Sequence, residues 1–240
     1  MTMLYAGTSG WAYATWKPKF YPAKLPSKKF LEFYSTRLNS VEVNYTFRRY
    51  PSEKLLSGWI AATPAGFRFS VKANQLITHI KRLRDARELT QRFLSSLQLL
   101  VEAGKLGVVL YQLPPFLKAD PALLSDFLAL LPAAVRSTFE FRHDSWFTEE
   151  VFTLLRQANA ALCLAESEKL VVPDVATAGF VYYRLRKPEY SATERKQLAA
   201  RIGAQLAGQR DAFAYFKHEE TPEGALYAEE LMTLMKRAAG

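Results

Sequence analysis

A single cysteine, Cys163, serves the whole 240-residue chain. No internal disulfide can form, and a reducing, cytoplasmic setting is expected. Cys163 lies between Leu162 and Leu164, the surroundings of a small buried hydrophobe rather than a reactive thiol. Long hydrophobic runs are also missing. No stretch reaches the ~20 residues of a membrane helix, and the opening MTMLYAGTSG lacks the basic-then-apolar pattern of an export signal. No repeat, low-complexity tract or Gly/Ser-rich linker marks a boundary, so one domain over residues 1–240 is expected. There is no Gly-rich phosphate loop, dinucleotide fingerprint or GxSxG elbow, which removes the usual markers of kinases, oxidoreductases and serine hydrolases. No HxxxH, HExxH or paired-Cys spacing suggests a metal site, and neither metal nor cofactor is expected. Acidic residues are the scarcer charge: 32 Lys and Arg face 23 Asp and Glu, a net charge of +9. That balance favours an anionic partner, with simple solubility as the competing explanation.

What is present is ordinary globular material, 49% hydrophobic and 13% aromatic. Eight short apolar runs are spread evenly along it: residues 4–9, 40–44, 67–72, 106–112, 137–142, 161–166, 180–186 and 213–217. Most of the gaps carry helical periodicity, and strand–helix alternation predicts a parallel sheet. Eight such units in this length fit an α/β fold of the TIM-barrel type, a closed (β/α)8 barrel. Helix starts are signalled at Ser27, Ser52, Asp120-Pro121 and Thr148, and by a Ser191/Glu194 capping box; Gly224 precedes a final helix. The longest helix is expected from about Asp85 to Ala103, stopped by Gly104. Between strands six and seven, ESEKLVVPDVATAG has no helical pattern, so the sixth helical unit is degenerate.

Parity within the strands is the sharper signal. Buried parallel strands should be almost continuously apolar, yet four of these alternate. Glu42 and Asn44 share a face, as do Arg68, Ser70 and Lys72; so do Thr138, Glu140 and Arg142, and Arg184 and Arg186. The apolar face meets the surrounding helices, so the charged face points into the barrel. Layer rules then group Lys72, Arg142 and Arg184, with Asn44 or Glu42, Gln112 and Glu166 from the other strands. Buried ions need partners, and a satisfied ionic plug is one reading. A pocket at the upper ring, where strand ends meet solvent, is the other.

The loops after the strands add to that mouth. The first holds Trp11, Tyr13, Trp16, Phe20 and Tyr21, a lid or stacking platform if not simply packing. The second interleaves Tyr45, Phe47, Arg48, Arg49 and Tyr50, and the third carries His79, Lys81, Arg82, Arg84 and Arg87. All three histidines, His79, His143 and His218, fall just beyond strand ends, where an imidazole could move protons.

Five ordered segments, GTSGWAYATWKPKFYP, SVEVNYTFRRYPS, FRFSVKANQLITHIKRL, LGVVLYQLPPF and FEFRHDSWF, resemble the domain of unknown function 72 family, also called the YecE-like proteins. The resemblance runs from Gly7 to about Leu231. It implies a (β/α)8 barrel and leaves activity open, since the family's function is unassigned. Carried over residue by residue, it points to Thr8, Trp11, Tyr13, Glu42, Asn44, Thr46, Phe47, Lys72, Thr78 and His79, and to Gln112, Glu140, Arg142, Ser145, Trp146 and Arg184. After strand seven, where relatives tend to carry Arg-x-His-Gly, this chain reads RLRKPEYS, with Arg186 in place of the His. After strand eight Lys217 and His218 replace an Asn pair. Both departures make the mouth more basic.

The leading expectation is an enzyme acting on an anionic substrate, phosphorylated or nucleic-acid-derived, by hydrolysis or by proton abstraction beside a carbonyl. Lys72, Arg142 and Arg184 hold the anion, with Asn44, Gln112, Trp11, Tyr13 and Trp146 as further binding residues. Glu140, Glu42 or His79 moves the proton. The rival is a non-catalytic module binding single-stranded nucleic acid through its basic and aromatic loops. No membrane partner is expected.

Overall fold

Each β-strand is separated from the next by a segment long enough for the crossover that parallel pairing needs. The computed structural model describes residues 2–217 and 220–239; His218 lies outside them. The strands are β1 (Leu4–Thr8), β2 (Ser40–Val43), β3 (Arg68–Lys72), β4 (Leu106–Gln112), β5 (Ser137–Glu140), β6 (Ala161–Ala165), β7 (Phe180–Leu185) and β8 (Asp211–Phe216). The helices are α1 (Phe30–Arg37), α2 (Glu53–Ala61), α3 (Arg87–Ser95), α4 (Gln98–Glu102), α5 (Pro121–Leu128), α6 (Glu149–Gln157), α7 (Ala192–Ala207) and α8 (Glu223–Ala239). All strands pair in parallel in the order β1-β8-β7-β6-β5-β4-β3-β2. The result is a nearly closed (β/α)8 barrel.

Closure comes at the seam between β1 and β2, which share a bridge at Ser9 and Glu42 and a bond from Gly10 N–H to Glu42 O (2.9 Å). Side chains complete the ladder. Asn39 accepts from Ala6 N–H (2.9 Å) and donates to Leu4 O (2.7 Å). Tyr34 Oη accepts from Thr8 N–H and donates to Ser40 O, both at 2.9 Å. A Cβ on Gly7 would lie 1.9 Å from Ser40 O, so the seam requires glycine there.

The capping signals act as the residue types predict. Ser52, Asp120 and Thr148 accept from the backbone N–H three residues on, and Ser191 and Glu194 form the full capping box. Ser27 instead opens a short 3-10 turn, and α1 starts at Phe30. No helix separates β6 from β7. Thr177 pins that segment to β6 by accepting from Leu162 N–H (2.8 Å) and donating to Ala160 O (2.7 Å).

One expected element is divided. The helix foreseen over residues 85–103 is α3 and α4, separated at Ser96 and Leu97, and the longest helix is α8. Ser96 Oγ donates to Phe93 O, and Leu97 N–H reaches back only to Leu94 O. A serine competing for helical carbonyls loosens the turn it sits in. At the other end Asp85 has φ +46°, so the helix begins two residues later, at Arg87.

Parity is as the alternation implied: the apolar faces pack on the helices, and the other face fills the barrel in layers. At the amino-terminal end lie Tyr5, Phe180 and Phe213. Above them Tyr215 Oη bonds the hydroxyls of Ser40 (2.6 Å) and Ser70 (2.8 Å). Cys163 is buried in this inner cluster, and burial pushes its thiol up, as suits an unreactive core residue. The charged layer comes next, toward the carboxyl ends of the strands.

Candidate functional site

Glu42, Glu140 and Arg184 project inward from β2, β5 and β7 and are almost fully buried. The Arg184 guanidinium joins both acids, with Nη1 2.5 Å from Glu140 Oε2 and Nη2 2.7 Å from Glu42 Oε1. Glu42 also accepts from Ser9 Oγ (2.7 Å) and Tyr182 Oη (2.8 Å). Arg186 adds a second cation to Glu140 at 3.2 Å, and Arg142 Nε stands 4.0 Å from the same carboxylate. Burial alone would raise both acids. Arg184 together with Arg186 and Gln112 outweighs it at Glu140 and holds that acid down at about 2, and Arg184 together with Ser9 and Tyr182 holds Glu42 below its ordinary value.

This pairing weighs against the proton-moving roles expected of Glu140 and Glu42. A carboxylate held that strongly ionised, with its oxygens occupied, is a poor base near neutral pH. The expected anion-holding role of Arg184 meets the same difficulty, since both terminal nitrogens are engaged by Glu140 and Glu42.

Above this layer opens a cavity of about 540 Å³ at the carboxyl ends of the strands, where barrel enzymes carry their sites. Asn44, Lys72, Gln112, Arg142 and Arg184 line it, as do Tyr45, Phe47, Arg48 and Arg49 from the loop after β2. Arg186 and Lys217 complete the wall. Seven of these eleven residues are Lys or Arg and none is acidic. Gln112 accepts from Lys72 Nζ at 2.8 Å and donates to Glu140, so it couples the two layers. The Lys72 ammonium also sits 4.1 Å from the Phe47 ring centroid. Burial, then the charge of Arg184, brings Lys72 down to about 8.

His79 lies in a π-helical turn, Leu76–Ile80, directly after β3. Its Nδ1 is 2.9 Å from Thr78 Oγ1 and its ring meets Phe47 edge to face. Burial and the nearby Lys72 and Arg142 lower it, so it is neutral and able to accept a proton at pH 7. Arg82, Leu83 and Asp85, just beyond, all have positive φ, a clustering of backbone strain beside the mouth. His143 is not part of the site: it caps the turn at Asp144–Trp146, accepting from Ser145 N–H.

Three expected binding residues are elsewhere. Trp146 is fully buried, stacked on Phe141, with Nε1 donating to Leu117 O. Trp11 packs edge-on against Trp59, and Tyr13 Oη donates to Ser9 O. They support the barrel rim and do not line the cavity. Glu166, expected inside the barrel, turns outward to accept from the N–H groups of Arg186 and Lys187 and from Tyr190 Oη. The partnership of Tyr182 and Ser9 with Glu42 was missed, although inward parity of Tyr182 on β7 follows from that of Arg184. Among the described residues no group of three or more His, Cys, Asp or Glu is placed to hold a metal ion. No helix there is long and apolar enough to cross a membrane.

The chain matches the family described as Protein of unknown function DUF72 over residues 5–240. The chain belongs to the DUF72 family. UPF0759 protein YunF of Bacillus subtilis (strain 168) is 31% identical over 156 residues, covering 61% of this chain and 53% of that protein. The match thus spans about half the length of that curated relative. A solved DUF72 protein of Thermotoga maritima MSB8 superposes with a TM-score of 0.83 at 25% identity, covering 98% of this chain and 99% of its own. One from Enterococcus faecalis V583 gives 0.76 at 17%, covering 100% and 98%. An AP endonuclease, family 2, from Brucella melitensis shares the fold alone, with a TM-score of 0.55 at 9% identity and 99% of both chains covered. The DUF72 resemblance read from the five segments is therefore established, and with it the barrel.

Proposed function

We propose that this DUF72 protein is an enzyme that binds an anionic small molecule, a phosphorylated compound in the first instance, at the carboxyl-terminal mouth of its barrel and acts on it by proton transfer. The observation that carries the reading is the one-sided lining. The acids at the pocket floor are already neutralised by Arg184 and Arg186, and no acid is among the described residues that line the cavity above them. Arg184 Nε and Arg186 Nε are, in addition, buried donors without a hydrogen-bond partner. Such donors cost about 1–3 kcal/mol unless an acceptor meets them. Arg142, 44% exposed and only loosely paired, is the fork that grips the anion. His79, held neutral at the rim, is the group left to take a proton once Glu42 and Glu140 are committed to arginine.

A thermal-shift titration with inorganic phosphate, sulfate and nucleotides tests this. At ten times Kd a bound anion contributes about 1.4 kcal/mol, a rise of about 3–6 °C for a chain of this size. Arg142→Lys keeps the charge but loses the fork, so its shift should shrink while the unliganded Tm holds. If none of these anions stabilises the protein, the charged interior is a structural plug.

A second reading has an observation of its own. A groove of about 700 Å³ beside the helix-less segment between β6 and β7 shares Arg142 and Arg186 with the central cavity. Its lining carries Arg142, Lys169, Arg186, Lys187 and Arg201 against Glu166 and Glu168, a basic excess that suits a single-stranded nucleic acid. Fluorescence anisotropy separates the two readings: backbone binding weakens with salt at a log–log slope of about −0.7 per phosphate contacted.

A further inference from the structure

Of the two lysines lining the pocket, Lys72 is set apart from the arginines around it. Lys72 ends β3 with its Nζ held by one neutral acceptor, Gln112 Oε1, and covered on one side by the Phe47 ring. Among the described residues no carboxylate lies within ion-pair distance of it; the acids of the layer below are taken by Arg184 and Arg186. Charged groups face it from every side. Arg184 and Arg186 approach from β7 and its exit, Glu140 and Arg142 from β5 and its exit, and Glu42 from β2. His79 stands in the turn after β3, Lys217 follows β8, and Arg48 and Arg49 come from the loop after β2. Cations outnumber anions in this set, and Arg184, whose charge bears most on Lys72, is buried and fixed between two acids.

We propose that Lys72 is the covalent centre of the site, an amine that forms an imine with the carbonyl carbon of an anionic aldehyde or ketone. The proposal rests on the anion-binding reading above and gives it a substrate class, a phosphorylated or carboxylated carbonyl compound. Arg142 and Arg186 hold the anionic group and Lys72 meets the carbonyl. In the step, the Nζ lone pair forms a C–N bond while the C=O π pair moves to oxygen, which takes the proton released by nitrogen. The nitrogen lone pair of that carbinolamine then expels the oxygen, which takes one more proton from solvent at the open mouth and leaves as water. The product is an iminium with one N–H, and no oxidant or reductant is consumed. Its positive charge replaces that of the ammonium, and the substrate's own anion offsets it among the arginines. A lysine activated by neighbouring cations and partial burial is a recognised way to make an amine nucleophilic near neutral pH.

Burial and Arg184 bring Lys72 to about 8, so at pH 7.5 about a quarter of it is free amine, against about one part in a thousand for an ordinary lysine. The test uses the full-length protein with pyridoxal phosphate, an aldehyde carrying a phosphate, trapped by sodium borohydride and mapped by peptide mass spectrometry. Lys72 should be modified at least tenfold faster than any exposed lysine, with a rate that rises through about pH 8. Inorganic phosphate should suppress that modification and leave surface labelling unchanged. Lys72→Arg should abolish the fast adduct while inorganic phosphate still raises its Tm. Labelling spread over surface lysines, with phosphate still stabilising the protein, overturns the imine role and leaves the anion pocket standing. Equal labelling by pyridoxal without its phosphate, together with no protection by inorganic phosphate, overturns the anion reading and the substrate class drawn from it.

Discussion

Arg184 is the residue on which the interior turns, because two buried carboxylates depend on one guanidinium. Removing one partner of a buried ion pair costs about 3–5 kcal/mol, since the other charge is left in a low dielectric. Arg184→Met should therefore lose at least that much stability in urea unfolding at pH 7, and adding Glu140→Gln to it should recover part of the loss. The same argument fixes a pH dependence. Glu140 is held near 2 in the folded protein against an ordinary 4.5, so the unfolded chain binds its proton more tightly. The stability it contributes is complete above about pH 4.5 and is lost as the pH falls toward 2. Glu42, also lowered, acts in the same direction. Arg184→Met removes the main cation facing both acids and leaves Arg186 and Gln112 at Glu140 and the Ser9 and Tyr182 hydrogen bonds at Glu42, so this acid limb should flatten. A wild-type acid limb surviving unchanged in that variant would show that other groups set it.

At the scale of elements, the barrel is weakest at the seam where β1 and β2 share a single bridge and side chains of Tyr34 and Asn39 supply the remaining bonds. Gly7→Ala puts a methyl 1.9 Å from a backbone carbonyl, so one strand must shift and those bonds stretch. The expected cost is about 3 kcal/mol or more, with faster amide exchange at Ala6 and Thr8; Gly66→Ala, which meets nothing within 4 Å, should stay within about 0.5 kcal/mol. Equal effects of the two would mean that the seam has slack. The eight strands and their inward faces were legible because period-2 alternation is a local signal, and so were the caps at Ser52, Asp120, Thr148 and Ser191. Nothing local could divide the helix at Ser96, because a serine in a helix interior is common. The consumption of Arg184 by Glu42 and Glu140 was equally hidden: the partners lie 142 and 44 residues away in sequence. Trp146 and Trp11 were misread for the related reason that an aromatic on a top-face loop has the same pattern whether it stacks on a ligand or on Phe141 and Trp59. Lys105 shows the same limit at the opposite end, where its ammonium donates to the carbonyls of Ile60, Thr63 and Pro64 and ties the loop after α2 to the start of β4.

On the scale of the whole molecule, a net charge of +9 means that any polyanion is attracted at low salt, pocket or not. Two contributions to anion binding must therefore be told apart, and salt separates them. At ~0.15 M ionic strength the screening length is about 8 Å, so exposed lysines and arginines at larger separations cease to act together. The cations of the mouth converge on one cavity of about 540 Å³ over a buried ionic floor, where screening is weaker. Inorganic phosphate should accordingly raise the Tm along a saturable curve in 0.15 M sodium chloride, with a midpoint that moves only modestly between 0.05 and 0.3 M. A variant carrying Lys28→Gln and Lys54→Gln, exposed residues that line neither the cavity nor the adjoining groove, should lower the general affinity for polyanions and leave that curve in place. Arg142→Lys should do the reverse. A phosphate response that disappears at 0.15 M salt, or that follows net charge in both variants alike, would assign the basic character of this protein to its surface as a whole instead of to the mouth of the barrel.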